Sequence, residues 1–524
     1  MMLRWRWLLT VGYTVLFLSL GLAWISSDFQ SIQGWMSFYV VLLLGFGIII
    51  GSWRTLKYSE QIIPGWMLKL VVGAALLRLI TGAVWMIVLP LWGYGGDVES
   101  AGYVMSDAYN RDTAAWELAQ SPNSLLDAFD GYRSVDQYGG LLFLSAALYR
   151  YIGIISHAPL LMIVLTASCS AVAVLFTWGF ARRTWGKSVA KIAAWGVALY
   201  PEAILLGSSQ MREAFTVTLA GMALYGLILL FQQHPRIGIC YILLALTLGM
   251  PLSPTFTILL ISVLAIVGFF FKQVRWTANW RIWAGIGVLV AIGLAGVFLF
   301  GDDLLPGGTS NPLLLLQEWI KNTARWQAYI SSHTSGWMQK IFARTPTQMH
   351  LWILVAYGVV QPFLPAAIIA KGKAVWWGIA IWRAIGWSAL LVLLVYAPIR
   401  ALRKINRSIM LGPTIAVWMV ILISALLGGG DQWDNPRYRA AFAGLQISLA
   451  AWVWVNQRRN PDIWMRRVLY GMGFVFLWFI PWYLRRYFPE FSWPVVDLFK
   501  TFGLGLASAV LFAVWDWAKT GLNQ

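Results

Sequence analysis

From position 160 to position 180 the chain carries no charged side chain, and runs of this kind decide most of what it can fold into. An apolar helix of roughly 20 residues is long enough to cross the ~30 Å hydrocarbon core of a bilayer. The runs 8–25, 38–50, 255–271 and 411–427 approach or reach that length with their flanks. They are continuous rather than alternating apolar with polar, so the backbone must satisfy itself as helices and not as a closed barrel. The expected fold is all-α, a polytopic transmembrane bundle of about 12–14 membrane helices. Short amphipathic helices are expected in its outer loops, and residues 1–524 are read as a single integral membrane domain with no sizeable soluble part.

Charge is correspondingly scarce. Only 11% of residues are charged and 59% are hydrophobic, whereas soluble chains carry about 25% charged residues. Lipid must therefore be the solvent for most of the surface. A net charge of +18 in a soluble protein would suggest nucleic acid. Here the basic residues gather in short clusters between apolar runs, as cytoplasmic loops do, so membrane lipid and not nucleic acid is the expected partner. Cys169 and Cys240 lie inside apolar runs without metal-like spacing and read as packing residues. The 33 tryptophans suit interfacial belts. Arg4–Trp5–Arg6 precedes an apolar run with no small-residue cleavage pattern, which reads as an uncleaved first helix starting in the cytoplasm.

Charge clusters order the crossings. A first helix leaves the cytoplasm, a second (36–52) returns to Arg54 and Lys57, and a third (66–90) exits, carrying Arg78 within it. The stretch 91–137 then holds eight acidic residues against only Arg111 and Arg133, and its acidity places it outside as a first outer loop. Two apolar segments, 139–155 and 159–180, precede the basic cluster Arg182, Arg183, Lys187 and Lys191. Two full crossings would put that cluster outside, against the positive-inside rule, so 139–155 is expected to dip in without crossing. A second outer loop, 301–373, follows a helix at 282–300. It contains a partly inserted element in which Pro362 and Pro365 disfavour one continuous helix. The protein is expected in the plasma (inner) membrane, multi-pass, with a cytoplasmic N-terminus and its site on the outer face.

Ionisable residues at the membrane boundary are where function is to be sought. Four groups fall on the outer side. The first is Asp97, then Asp107 with Tyr109 and a run of alanines after it, read as a short helix against the membrane surface. A boundary carboxylate there can act as a general base or hold a metal ion, or simply solvate the loop. The second is Tyr200–Pro201–Glu202 with Arg212 and Glu213, which have the alternative of pairing with each other. The third is Asp431 to Arg439, opening a helix near Ala440, where Arg437, Tyr438 and Arg439 would meet a phosphate with guanidinium forks and helix N-terminal amides. The fourth is Glu318, Lys321 and Arg325 at helical spacing, whose simplest reading is an amphipathic surface helix. Arg78 joins the candidates as a charge inside an apolar run. Positive charge beside a carboxylate suits transfer of a sugar from a lipid phosphate, because the leaving phosphate needs cations and the incoming hydroxyl needs a base.

At these residues the chain resembles the GT-C superfamily of polytopic glycosyltransferases, in particular bacterial relatives of protein mannosyltransferases and aminoarabinose transferases. The shared features run in order over about residues 70–450. They are the acidic first outer loop with Asp107, Tyr109 and Ala114, the aromatic–glycine entry Tyr138–Gly139–Gly140, and Tyr200–Pro201 followed by Ser208, Ser209, Arg212 and Glu213. Pro362–Phe363–Leu364–Pro365 and the late Arg437–Tyr438 pair complete the set. The resemblance implies a GT-C-like bundle and inverting transfer on the outer face from a polyprenyl-phosphate-linked sugar to a glycan, lipid or protein acceptor. It implies Asp107 as base, with Asp97 the alternative, and the group Arg437–Tyr438–Arg439 at the donor phosphate. Metal dependence varies across the superfamily, so no metal or other cofactor is assigned. The chain departs from better-defined members in lacking a clear His–Pro–Pro in the first loop and a large soluble C-terminal domain. The competing readings are an O-antigen polymerase or ligase, whose long outer loop lies late in the chain, and a secondary transporter, whose charges would sit at mid-bilayer.

Overall fold

The computed structural model describes residues 2–521 except 27, 61, 154, 233, 371, 404–406 and 489. Within 272–335 it describes only Lys321, Arg325, Trp326 and Tyr329. The expected helix at 282–300, Glu318 and most of the expected second outer loop therefore lie outside the described residues.

The described chain is helical throughout. It opens with α1 (Met2–Ile25), α2 (Ile32–Ser59) and α3 (Gly65–Trp92). The acidic stretch expected to form a first outer loop, with the segment after it, folds into α4 (Asp97–Ser100), α5 (Ser106–Gln120), a 3-10 turn (Leu125–Phe129) and α6 (Gly140–Tyr151). Then come α7 (Pro159–Trp185), α8 (Lys187–Leu199), α9 (Pro201–Gly207), α10 (Glu213–Phe231), α11 (Pro235–Leu252) and α12 (Pro254–Phe270). After the gap follow α13 (Gly336–Arg344), α14 (Thr347–Val360), α15 (Leu364–Ile369), α16 (Ala374–Leu402), α17 (Arg407–Gly428), α18 (Asp434–Ala440), α19 (Ala443–Arg459), α20 (Ile463–Tyr487) and α21 (Leu498–Gly521). Nine of the described helices are long and apolar enough to cross a membrane, or ten if α8 and α9 form one broken span. Three shorter apolar helices accompany them, at Val11–Ile25, Pro254–Phe270 and Thr347–Val360.

The core is built around α7, which packs against α2, α3, α8, α10 and α19. Of its apolar window 94% is buried inside the protein, against 11% for α20. The difference lies in side-chain size. Helix α7 carries Thr166, Ala167, Ser168, Ser170, Ala171, Ala173, Thr177 and Ala181, all buried, and small residues let neighbouring helices approach where no water drives association. The α20–α21 hairpin presents large exposed residues instead, among them Leu477, Leu511 and Trp517, as a lipid-facing element does.

Contacts between helix ends sort the loops onto two faces. At one end Ser156 donates to Asp28, and Gln210 donates to the carbonyl of Pro159, so the 26–31, 152–158 and 208–212 turns share a face. At the other end Arg182 and Arg183 reach the carboxylate of Glu60, Arg183 donates to Gln232 at 2.6 Å, and Arg459 donates to Ser188 at 2.7 Å. Helix α7 alone connects the first outer loop to the basic cluster, since both ends of α6 stay on the first face. At 12 residues α6 is only about 18 Å long, too short to cross. At the expected partly inserted element, α14 ends at Val360, a cis peptide joins Gln361 to Pro362, and α15 is a separate short helix.

Arg78 is a structural residue of the bend between α8 and α9, which turns through 50° at Tyr200. Pro201 has no N–H, so the carbonyl of Val197, four residues earlier, loses its helical partner. Arg78 Nη2 donates to that carbonyl at 3.1 Å, and its Nη1 reaches those of Ala198 at 3.4 Å and Ala74 at 2.9 Å. Nε donates to Ser170 Oγ at 3.0 Å. These four bonds let one guanidinium tie α3 to α7 and to the bend between α8 and α9. A Cβ on Gly207 would lie 2.7 Å from Arg78 Cδ. Arg78→Leu is expected to cost about 2–4 kcal/mol, because it strands carbonyls at bilayer depth. Gly207→Ala is expected to destabilise by displacing the same guanidinium. Thermal unfolding in detergent checks both, and a midpoint unchanged in Arg78→Leu would refute the role.

Candidate active site

On the face opposite the basic clusters, three of the four groups singled out from the sequence converge. Helix α5 buries Ala108, Arg111, Asp112, Ala114, Ala115, Leu118 and Ala119, a stripe at helical spacing. Its C-terminal carbonyls are bound by Arg150 of α6, which donates to those of Leu118, Ala119, Ser121 and Asn123. Asp136 accepts from the backbone N–H of Leu142 at 3.0 Å and so starts α6. Gly140 allows the close approach of α6 to α11, since a Cβ there would meet the Pro251 carbonyl at 2.2 Å. This packing leaves Asp107, in the first turn of α5, half exposed and facing the group below.

The centre of that group is Arg437. Its Nη1 lies 2.8 Å from Asp107, its Nε 3.4 Å from Glu213, and its Nη2 3.4 Å from Asp434, so each edge of the guanidinium meets one carboxylate. Glu213 opens α10 and turns to Arg437 rather than to its neighbour Arg212, whose guanidinium stands 5.1 Å from the Tyr138 ring centroid. Arg111 is buried, donates to the Gln210 carbonyl at 3.1 Å and pairs with Asp136 at 3.6 Å. Arg437 Nε, Glu213 Oε2, Arg111 Nε and Asp136 Oδ1 are buried without a hydrogen-bond partner, so the two ion pairs leave part of their polar capacity unused. Burial pulls the Asp107 carboxyl up, but Arg437, with Arg111 and Arg212 nearby, overcomes this and holds it below the usual carboxylate range. Asp434 goes the other way. Burial raises it, and the carboxylates of Asp431, Asp107 and Glu213 oppose the help it gets from Arg437.

Arg439 does not join Arg437, as the sequence had suggested. Two residues further along a helix, it points backwards, wholly buried, over the Trp387 ring at 3.3 Å, and donates to the Gln361 carbonyl at 2.5 Å. The helix near Ala440 is likewise two elements, α18 and α19, with the arginines in the first. Tyr438 packs beside Arg437, its ring centroid 5.3 Å from the guanidinium carbon. Tyr109 meets Tyr103 edge to face at 5.4 Å. Asp97 is exposed in the first turn of α4 and is not among the carboxylates that meet Arg437. Lys321 and Arg325 are helical and exposed. Among the described residues no group of three or more His, Cys, Asp or Glu is arranged to hold a metal ion.

Sequence reasoning missed two buried clusters. Asp112 accepts from Tyr103 at 2.5 Å and Tyr149 at 2.7 Å and contacts His157 at 2.8 Å, which stacks on Trp116. Arg383 of α16 grips Glu202 of α9 through two bonds of 2.8 and 2.9 Å. Asp112 at i+5 from Asp107 was the available signal for the first. An arginine inside the apolar run of α16 and a glutamate beside Pro201 were the signal for the second.

No protein-family model matches the chain, and no curated protein does. Among solved structures it is similar to the archaeal oligosaccharyltransferase AglB from Archaeoglobus fulgidus in complex with an inhibitory peptide and a dolichol-phosphate. The two share 16% identity at a TM-score of 0.41 over 86% of this chain and 54% of that one. The apo form of the Archaeoglobus fulgidus oligosaccharyltransferase gives 16% identity and a TM-score of 0.42 over the same shares. Its complex with Zn and sulfate gives 16% and 0.40 over 84% and 53%. The chain thus spans about half the length of the solved proteins it matches.

The Asp107–Arg437 pair makes stability depend on pH. A carboxyl held lower in the folded state than in the unfolded one contributes stability above the unfolded pKa, and loses it as pH falls through the folded value. Unfolding midpoints in detergent should therefore decline below the ordinary carboxylate range, and Arg437→Gln should shrink or abolish that decline, because the folded carboxyl then no longer lies below the unfolded one. An identical pH profile in the variant would show that the pair does not hold the carboxyl down.

Proposed function

We propose that the protein is a membrane glycosyltransferase of GT-C type that moves a sugar from a polyprenyl-phosphate-linked donor to an acceptor hydroxyl or amide on the outer face. One observation carries the reading. A half-exposed carboxylate, Asp107, and a buried arginine, Arg437, meet at 2.8 Å although they are 330 residues apart, in the first outer loop and in α18. In the reaction the acceptor O–H or N–H proton passes to Asp107, the acceptor atom bonds to the anomeric carbon, and the bond from that carbon to phosphate breaks with its electron pair going to the phosphate oxygen. Arg437, with Tyr438 beside it, is placed to take the charge that grows on the departing phosphate. The donor phosphate competes for the N–H groups that hold Asp107, so its arrival frees the base.

The sidedness follows from charge. Arg182, Arg183, Arg400, Arg403, Arg458, Arg459, Arg466 and Arg467 sit at the end opposite the site, which the positive-inside rule makes cytoplasmic. Multiple crossings and this polarity fit a plasma-membrane protein. Among the described residues, the arginines inside the apolar helices α3 and α16 are engaged in the structure, Arg78 with backbone carbonyls and Arg383 with Glu202, which favours the glycosyltransferase reading over a transporter.

Asp107→Asn is expected to abolish transfer while the protein still inserts and unfolds normally. Arg437→Ala is expected to raise the donor concentration needed for half-maximal rate on the order of tenfold or more, the loss of one charge-assisted bond. The assay follows sugar incorporation in membranes from an expressing strain, with mass analysis of lipids and glycans from a deletion strain to find the glycan short by one sugar. Full activity in Asp107→Asn would remove the mechanism. Probes beside Tyr109 and Tyr438 that report opposite faces of the membrane would remove the site.

A further inference from the structure

The group around Arg437 holds more acid than base. Three carboxylates share that one guanidinium. Arg111 is committed to Asp136, and Arg212 is the remaining cation near Asp107. Asp431 adds a further carboxylate beside Asp434, accepting from the backbone N–H groups of Trp433 at 2.5 Å and Asp434 at 2.7 Å. With every carboxyl ionised, the place read above as the donor-phosphate site is net negative, and an incoming phosphate would be repelled. Protonation of one of these carboxyls lessens that repulsion when the anion binds.

We propose that this residue is Asp434, and that it serves as a donor-binding residue in its protonated form, giving its carboxyl O–H to a phosphate oxygen beside Arg437. The inference rests on the donor-site reading and extends it to a residue that the sequence did not single out. Asp434 is suited by its surroundings. It is faced by Arg437 and Tyr438 on its own helix, by Asp431 before it, by Asp107 from α5 and by Glu213 from α10. Three of those five neighbours are acids, and the only arginine among them is shared with two more carboxylates. Arg383 and Arg439 lie behind α18, toward Glu202 and Trp387, and do not offset that charge at the front. Asp107 is the wrong candidate for the proton, since Arg437 holds it ionised and the reaction needs it as a base. Ionised, Asp434 competes with the phosphate for Arg437. Protonated, it releases Nη2 and adds a donor of its own. One proton is then taken from solvent per donor bound, and no other group changes its chemistry.

The test uses the full-length protein in detergent and farnesyl methyl phosphate, a diester whose single charge does not titrate near neutrality. Calorimetric titrations run in buffers of different ionisation enthalpy report protons taken up per ligand bound. Uptake approaching one proton is expected for the wild type above the Asp434 pKa, with affinity falling about tenfold per pH unit there. Asp434→Asn should bind without proton uptake and with a flat pH dependence, and Asp434→Glu should restore both. Binding by the wild type with no uptake and no pH slope overturns the proposal and leaves the donor site standing, as does an unchanged slope in Asp434→Asn. Absence of wild-type binding across the pH range overturns the donor-site reading, and this proposal with it.

Discussion

Inside a bilayer no water is available to a broken helix, so each interruption must be repaired by another part of the protein. That constraint organises this structure. The break at Pro201 is repaired from α3 by Arg78. The break between α17 and α18 is closed by Asn435, whose amide donates to the carbonyls of Gly358 at 2.8 Å and Gly429 at 3.0 Å. The break after α14 is met by Arg439 at the Gln361 carbonyl. These interruptions all lie toward the face that carries Asp107 and Arg437. The buried polar side chains there are thus largely the repair of irregular backbone, and the irregular backbone is what brings residues from α5, α10 and α18 to one point.

The same constraint explains how two kinds of arginine coexist in one fold. Arg78, Arg383 and Arg439 are buried and fastened to carbonyls, to a carboxylate or to an indole face. Arg437 is instead surrounded by carboxylates that are themselves partly exposed. A guanidinium whose neighbours can be displaced is able to exchange them for a ligand. One that holds a helix together is not. Function and architecture therefore separate residue by residue within a few positions of the same helix.

How far the sequence could be read follows from the range of each signal. Hydrophobic runs and basic clusters are local, and they suffice for an all-helical membrane fold and for the order of its polar stretches. The short element at α6 was expected from the positive-inside rule alone, which asks Arg182 and Arg183 to lie on the side of Arg54 and Lys57 and one segment to give way. Asp107, Glu213 and Arg437 stood out as polar residues at apolar boundaries. Their mutual contact did not, because it depends on packing across the bundle. Arg439 was misplaced for a simpler reason: its type matched a phosphate ligand, and only the helical phase of α18 says which way it points. Arg78 was read as a candidate for chemistry because the missing N–H of Pro201, which it replaces, lies more than a hundred residues away in the chain. Asp434 passed unnoticed, since nothing about a lone aspartate beside Asn435 and Pro436 reveals how many acids surround it in space.

Successive residues on an α-helix turn by about 100°, so positions two apart face nearly opposite ways. Arg439 and Asn435 therefore fasten the back of α18 to α14 and its flanking turn while Arg437, Asp434 and Tyr438 are presented at the front. Seven residues could not hold a helix in water by themselves. The fixed charges behind it supply that rigidity. On the proposed reading, a site that meets a lipid phosphate gains most when its own donors need not reorganise as charge develops. The costly burial of Arg439, which has no carboxylate within salt-bridge distance among the described residues, is intelligible on those terms: it fastens the helix that carries Arg437.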